Sequence, residues 1–260
     1  MSSTSIWDRL RDEVVGQLVF KTRDEWGQIF VVDHGDTRAL YFGAPCEQSR
    51  ICREKPYQVI HEYARVMSLG LALVKPDNVL MLGLGGGSLL QALIRANPAA
   101  HPTVIEQREE VVIIARDFFQ LPPLSEEQLI VGDARNYLRL IDAGSQDLIF
   151  SDLFFDDRML KWQQQRKFLS LCHQILRPSG WLVINFDHVL EEGLPTMNAL
   201  CAQFPTVLSW RTQEDNHVVL ASPQHGFDAT AWNDAVHRLQ EQLEVPLLNL
   251  FSGLKHHPSR

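Results

Sequence analysis

The stretch Val79-Leu80-Met81-Leu82-Gly83-Leu84-Gly85-Gly86-Gly87-Ser88 decides the fold. Four consecutive apolar residues without polar alternation read as a strand buried on both faces, as strands of parallel sheets are. The glycines that follow permit a tight turn and a close backbone approach to a ligand. Residues 89–96 then read as a helix whose N-terminus faces that turn. The same glycine spacing also serves βα turns that bind nothing, so the loop alone does not name a ligand.

Downstream, strand and helix alternate. Strands are predicted at 103–106, 129–131, 147–152 and 180–185, with helices at 109–119, 134–141, 159–176 and 194–204. Two last strands, 207–211 and 217–221, are joined only by the polar link 212–216, which makes them an antiparallel hairpin. The expectation is an α/β fold with a Rossmann-like, seven-stranded, mostly parallel sheet ending in that hairpin. This is the layout of the class I S-adenosylmethionine (SAM) transferases.

Upstream, residues 14–20, 28–33 and 38–42 are short segments rich in Val, Ile, Phe and Tyr, separated by polar turns, and predict a small antiparallel sheet. Pro56 ends it, and residues 57–73 carry Val59, Ile60, Tyr63, Val66, Met67 and Leu71 at helical spacing. The organisation expected is a β-domain at 1–55, a SAM-transferase core at 56–224, and a C-terminal part at 225–260. That last part holds one helix (229–243) and a polar, solvated tail with His256 and His257.

Composition narrows the function classes. The 260 residues hold 24 Lys and Arg against 32 Asp and Glu, a formal charge of −8, and the basic residues form no long run. That argues against a nucleic-acid partner and weakly suits a cationic substrate. Four cysteines without a CxxC pair read as reduced thiols, and Met1 to Arg9 has no charged-then-apolar leader pattern, so the expected compartment is the cytoplasm. The apolar runs are strand-length, well short of the roughly 18 residues a membrane span needs. His61, His101, His173, His188 and His217 do not recur at metal-ligand spacing, so no metal is expected.

Three carboxylates stand where chemistry is done. Glu106 ends the second core strand about 20 residues past the glycine loop, where an acid accepts ribose hydroxyls; this suits NAD as well as SAM. Asp133 follows the third strand, a place for an adenine contact and equally for a helix N-cap. Asp152 ends the fourth strand, in Ser151-Asp152-Leu153-Phe154-Phe155-Asp156-Asp157. The apolar residues after it would dry the site, raise its pKa and make it a better base.

On these features the chain resembles the spermidine synthase (polyamine aminopropyltransferase) family over roughly residues 16–222. The resemblance is carried by the small N-terminal β-domain, Gln48-Ser49, Pro56, Glu62-Tyr63, the glycine loop, Val104-Ile105-Glu106, Gly132-Asp133-Ala134 and Ser151-Asp152. It implies that Gln48 contacts the methionine-derived tail of the nucleoside and that Gly83, Gly85, Gly86 and Gly87 pass beneath it. Glu106 would hold the ribose, Asp133 with Ala134 would meet the adenine, and Asp152 would take the proton of an attacking amine. His61, Glu62, Phe155 and Asp156 fall at acceptor contacts. The implied co-substrate is decarboxylated SAM or SAM, the implied acceptor a small molecule such as a polyamine, and the implied assembly a homodimer.

Three departures from the family pattern bear on the reaction. Ser88 stands where the synthases carry an Asp after the glycines, Phe155 where they carry a second Asp, and Ile60-His61-Glu62 where they carry Tyr-His-Glu. All three touch the donor tail or the polyamine and none touches the nucleoside. Aminopropyl transfer is therefore weighed against SAM-dependent methyl transfer to another acceptor, and against a nucleoside-binding protein that has lost catalysis.

Overall fold

The computed structural model describes residues 16–43, 47–155, 158–159, 161–226 and 228–258. Asp156, named above as an acceptor contact, lies outside the described residues, as do Asp157, Cys46, Met1 to Arg9 and the first two residues of the predicted 14–20 strand.

The N-terminal sheet is a meander of β1 (Gln17–Asp24), β2 (Gly27–His34), β3 (Thr37–Phe42) and β4 (Glu47–Cys52), each pairing antiparallel with the next. Three strands were expected; β4 is the addition. Its sequence, Glu-Gln-Ser-Arg-Ile-Cys, lacks an apolar run because it is an edge strand that turns only Ser49 and Ile51 fully inward. One face of the meander, with Ile29, Val31, Leu40, Phe42 and Ile51, packs on Val111, Ile114 and Phe119 of the core. At the β1–β2 turn the Arg108 guanidinium grips Asp24 with two 2.8 Å hydrogen bonds and lies 4.2 Å from the centre of the Phe42 ring. That bidentate pair ties the meander to the glycine-loop end of the core.

The helix predicted over 57–73 forms only in part, as α1 (Glu62–Ser68) and α2 (Gly70–Leu73). Tertiary partners claim the residues before it: Val59 bridges to Ile51, and the Tyr57 hydroxyl donates to Glu244 at 2.6 Å. Gly70 sits where a side chain would press on Val183 and Leu148, which brings α2 flat onto the sheet.

From there β5 (Asn78–Leu82), α3 (Ser88–Ala96), β6 (His101–Glu106), α4 (Glu109–Phe118) and β7 (Leu129–Val131) follow the predicted alternation. The helix expected at 134–141 is a single turn, α5 (Ala134–Tyr137), before β8 (Gln146–Ser151). The helix expected from 159 is shorter too. Phe154–Phe155 (β9) and Arg158–Met159 (β10) pair as a ribbon, a 3-10 turn covers Lys161–Gln164, and α6 spans Arg166–Ile175. Then come β11 (Leu176–Phe186), α7 (Pro195–Gln203), β12 (Thr206–Arg211), β13 (His217–Ser222), α8 (Ala229–Leu243), α9 (Leu248–Ser252) and β14 (Lys255–Pro258).

The core sheet has the order β14-β12-β13-β11-β8-β5-β6-β7, parallel from β11 to β7 and antiparallel at β11–β13–β12–β14. The expected seven strands are present, and β14 is an eighth, so the polar tail is not solvated as predicted. His257 pairs across from Val207, is only 4% exposed, and its Nε2 lies 2.8 Å from the Ser209 hydroxyl. A histidine with a hydroxyl partner can be buried in an edge strand where an unpaired one could not.

Alternate residues of each strand feed the two faces. Val79, Met81, Leu148, Phe150, Trp181 and Val183 pack with α1, α2, α3 and α8. Leu80, Leu82, Ile149, Leu182 and Ile184 pack with α6 and α7. The helix at 229–243 thus completes the sheet's own core. The chain leaves β5 for β6 and β7, then returns to lay β8 on the other side of β5. At such a reversal the connections after the two strands diverge, which opens a crevice beyond the carboxyl ends of β5 and β8.

Candidate active site

Gly83 and Asp152 are the first residues beyond those two strand ends. Leu82 pairs with Ser151, the Asp152 amide donates to the Leu82 carbonyl at 2.9 Å, and the Gly83 amide donates to the Ile105 carbonyl at 2.9 Å. Gly83 has φ +92°, and a Cβ there would lie 2.4 Å from the Asp152 carbonyl oxygen. Only glycine permits this junction. The loop continues through Gly85 to Gly87, which caps the N-terminus of α3.

Glu106, at the end of β6, is buried, and each carboxylate oxygen accepts one backbone N–H: Leu84 at 2.9 Å and Arg108 at 2.9 Å. Burial raises its pKa against these hydrogen bonds, a further one from the Gln107 backbone and the charge of Arg108. The bonds fix the carboxylate's orientation at the loop and leave lone pairs on both oxygens, which suits a vicinal diol.

Asp152 is held by one side chain. The Asn185 Nδ2 donates to its Oδ1 at 3.0 Å, and the Asn185 carbonyl oxygen accepts from Asn216 Nδ2 at 3.1 Å, so the second contact fixes which end of the Asn185 amide meets the acid. Burial pushes the Asp152 pKa from 3.8 up to about 6, opposed by the Asn185 hydrogen bond and by the charge of His61. Behind it, buried Gln163 binds both the Ser151 hydroxyl and, at 2.9 Å, the Leu153 carbonyl, which pins the loop after β8.

A cavity of about 830 Å³ opens on these groups. It brings together the predicted Gln48, His61, Glu62, Gly83, Gly85, Glu106 and Asp152. Ser88 faces a small adjoining pocket with Gln48, Tyr63, Gly85 and Asp152. Gly86, Gly87, Asp133 and Ala134 do not line the large cavity. Asp133 caps α5 by accepting from the Arg135 amide at 2.9 Å, and its carboxylate is gripped by the Arg135 guanidinium, which lowers its pKa. It stays beside the ribose-binding candidate, since the Gly132 amide donates to the Glu106 carbonyl at 2.8 Å. Glu62 is engaged by Trp210 Nε1 at 2.9 Å and the Gln213 amide at 3.2 Å. Phe155 belongs to the β9–β10 ribbon that follows Asp152.

Several lining residues were not singled out from sequence. Glu47 accepts from Arg50 and from the Tyr41 hydroxyl at 3.0 Å, and lies 2.9 Å from His61 Nε2. Burial would raise its pKa, but Arg50 and His61 hold it at about 2. Trp26, Arg50, Arg65, Arg108, Asn216 and Glu214 also line the cavity. Asn185 had a legible signal, a polar residue closing an apolar strand at the carboxyl edge; the others depend on tertiary contacts. Among the described residues no group of three or more His, Cys, Asp or Glu is placed to hold a metal, and no helix is long and apolar enough to cross a membrane.

Residues 79–180 match the family model described as "Methyltransferase domain". The chain is also similar over nearly all its length to a crystal structure of a probable spermidine synthase from Corynebacterium glutamicum. The TM-score is 0.73, the identity 18%, and the match covers 94% of this chain and 91% of that one. The chain has the spermidine synthase-like form of the class I SAM-transferase fold. A curated polyamine aminopropyltransferase of Vibrio vulnificus is 31% identical over 180 residues, 66% of this chain and 60% of that protein. The chain thus spans about three fifths of the length of the curated aminopropyltransferases it matches first. The same fold links it to human methyltransferase-like protein 13 in complex with SAH, with TM-score 0.62, 21% identity, and 72% and 94% of the two chains covered. Proteins named for aminopropyl transfer and for methyl transfer are thus both found among the structures that share this fold.

Proposed function

We propose that the protein is a transferase that moves an alkyl group from a SAM-type sulfonium to an amine, with Glu106 on the ribose and Asp152 as the base. The observation that carries this is the shared wall: the Gly83 loop, Glu106 and Asp152 face one cavity at the sheet's reversal point.

In this reading the acceptor amine attacks the carbon bonded to sulfur, the S–C bond breaks in line, and a neutral thioether leaves. The new ammonium gives its proton to Asp152. A carboxylate with a pKa of about 6 is largely ionised at neutral pH and more basic than an ordinary Asp. Departure of a sulfonium removes charge, so the protein's main task is to orient the two reactants and supply that base. His61 and the Asn185–Asn216 pair fix the electrostatics and position of the carboxylate.

The aminopropyl group of decarboxylated SAM is the first choice of cargo. It is supported by the meander that roofs the cavity with Trp26, Glu47 and Gln48, and by the aminopropyltransferase relatives. Methyl transfer from intact SAM is the second reading, supported by Ser88 at the position where an acid would repel the carboxylate of SAM. Asp133, adjoining Glu106 through Gly132, would meet the adenine edge with Ala134. The acceptor would be a small molecule, a homodimer would be its assembly, and the cytoplasm its compartment.

The test is product analysis. Methylthioadenosine release from decarboxylated SAM with putrescine supports the first reading, and S-adenosylhomocysteine release from SAM supports the second. Tight methylthioadenosine binding without either turnover would leave a catalytically lapsed nucleoside-binding protein and sink the transferase reading.

A further inference from the structure

Two of the three arginines that line the cavity are already held by carboxylates. Arg50 is bound by Glu47 and Arg108 by Asp24. Glu62 is taken by Trp210 and the Gln213 amide. Arg65 is different. It stands in the last turn of α1, lines the same cavity as Asp152, and makes no ion pair or side-chain hydrogen bond among the described residues. Its Nε is fully withdrawn from solvent and still has no partner.

A buried guanidinium N–H left unpaired costs stability, and Arg is the side chain whose planar donors match a carboxylate. Among the described carboxylates of the lining, Glu47, Glu62, Glu106 and Asp152 each accept a protein hydrogen bond, and Glu214 is exposed. The cavity wall therefore presents, among the described residues, one arginine whose guanidinium has no protein partner.

We infer that Arg65 receives a carboxylate carried by the ligand, so that the cavity selects a carboxylate-bearing partner over its decarboxylated counterpart. This rests on the nucleoside reading of the Glu106 wall. The carboxylate has two chemical sources: the methionine tail of intact SAM, or an amino-acid-type acceptor in place of a plain diamine. An arginine that only laid its aliphatic stem along the apolar wall would leave ligand preference untouched when replaced.

Two ligand pairs differing by one carboxylate separate these cases. Binding of SAM and decarboxylated SAM is measured by calorimetry on wild type, Arg65→Gln and Arg65→Lys. Binding of ornithine and putrescine is measured on the same three proteins loaded with methylthioadenosine. Methylthioadenosine, which lacks the tail, reports the nucleoside seat. The expected result is a preference of about tenfold or more for the carboxylated member of one pair, the size of a charged hydrogen bond. That preference should vanish in Arg65→Gln and persist in part in Arg65→Lys, with methylthioadenosine affinity equal in all three. A preference in the first pair assigns the carboxylate to the donor, and in the second to the acceptor. No preference in either pair, or one that survives in Arg65→Gln, overturns the inference while leaving the nucleoside seat standing. Failure of wild type to bind methylthioadenosine removes the nucleoside reading, and this inference with it.

Discussion

Gly83 and Asp152 meet backbone to backbone: a methyl group added at Gly83 would sit 2.4 Å from the Asp152 carbonyl oxygen, and the glycine's φ of +92° is one that side chains disfavour. The nucleoside loop and the proposed base thus share one junction, so a change in one displaces the other. Gly83→Ala should lower stability by roughly 2 kcal/mol or more from backbone strain and contact together. It should also weaken methylthioadenosine binding and turnover in parallel. Chemical denaturation and calorimetry on the same variant check this, and wild-type nucleoside affinity in Gly83→Ala would contradict it.

Asp152 is the group whose ionisation the activity should report. Turnover requires the carboxylate, so the rate should fall as pH drops through about 6, well above the range of an ordinary Asp. Asp152→Asn should lose about 10²- to 10⁴-fold in rate with nucleoside binding retained. Stability runs the other way. The folded pKa lies above the ordinary 3.8, so the folded state holds the proton more tightly. Wild type therefore gives up stability as pH rises from about 4 through about 6. Asp152→Asn should be the more stable protein at pH 7.5, by up to about 3 kcal/mol, with the difference closing below pH 4. Denaturation curves for both proteins at pH 4 and 7.5 measure it.

Asn185 sets that titration. Its Nδ2 donates to Asp152 and favours the ionised form, while Asn216 holds the amide in the orientation that allows it. Removing the donor in Asn185→Ala should move the acid limb of the rate profile upward by about one pH unit. Asn216→Ala, which frees the amide to flip, should move it in the same direction by less. An unmoved limb in both variants would mean that the pair supports the fold and not the base.

Much of this was legible in the chain. Continuous apolar strands such as Val79–Leu82 and the glycine loop fix a parallel sheet and its ligand edge, because burial on both faces leaves no other use for such runs. Glu106 and Asp152 are readable for the same reason, being acids at the carboxyl ends of those strands. β4 and β14 were not, because an edge strand needs few inward apolar residues: β4 buries Ser49 and Ile51, and β14 hides His257 against Ser209. Tyr57 to His61 read as helix from apolar spacing and were lost to Ile51 and Glu244, partners remote in sequence. Arg65, Arg108 and Asn216 carry no local signal at all. Their roles exist only once the meander, the hairpin and the sheet edge come together.

The Asp24–Arg108 pair is where that meeting can be broken. The two side chains are about one-tenth exposed and doubly hydrogen-bonded, and Arg108 also covers the Phe42 ring. Removing one partner strands the other as a buried charge, which costs about 3 kcal/mol or more. Arg108→Met should pay that cost and should loosen nucleoside binding as well, because the backbone N–H at 108 that donates to Glu106 loses the side-chain anchor to Asp24 and Phe42 that positions it. Asp24→Asn leaves the Arg108 side chain on the Phe42 ring and also keeps an oxygen able to accept from Trp26 and Gly27. It should therefore lose stability with a smaller loss of methylthioadenosine affinity. Equal losses of affinity in the two variants at matched stability would show that the meander docks without steering Glu106.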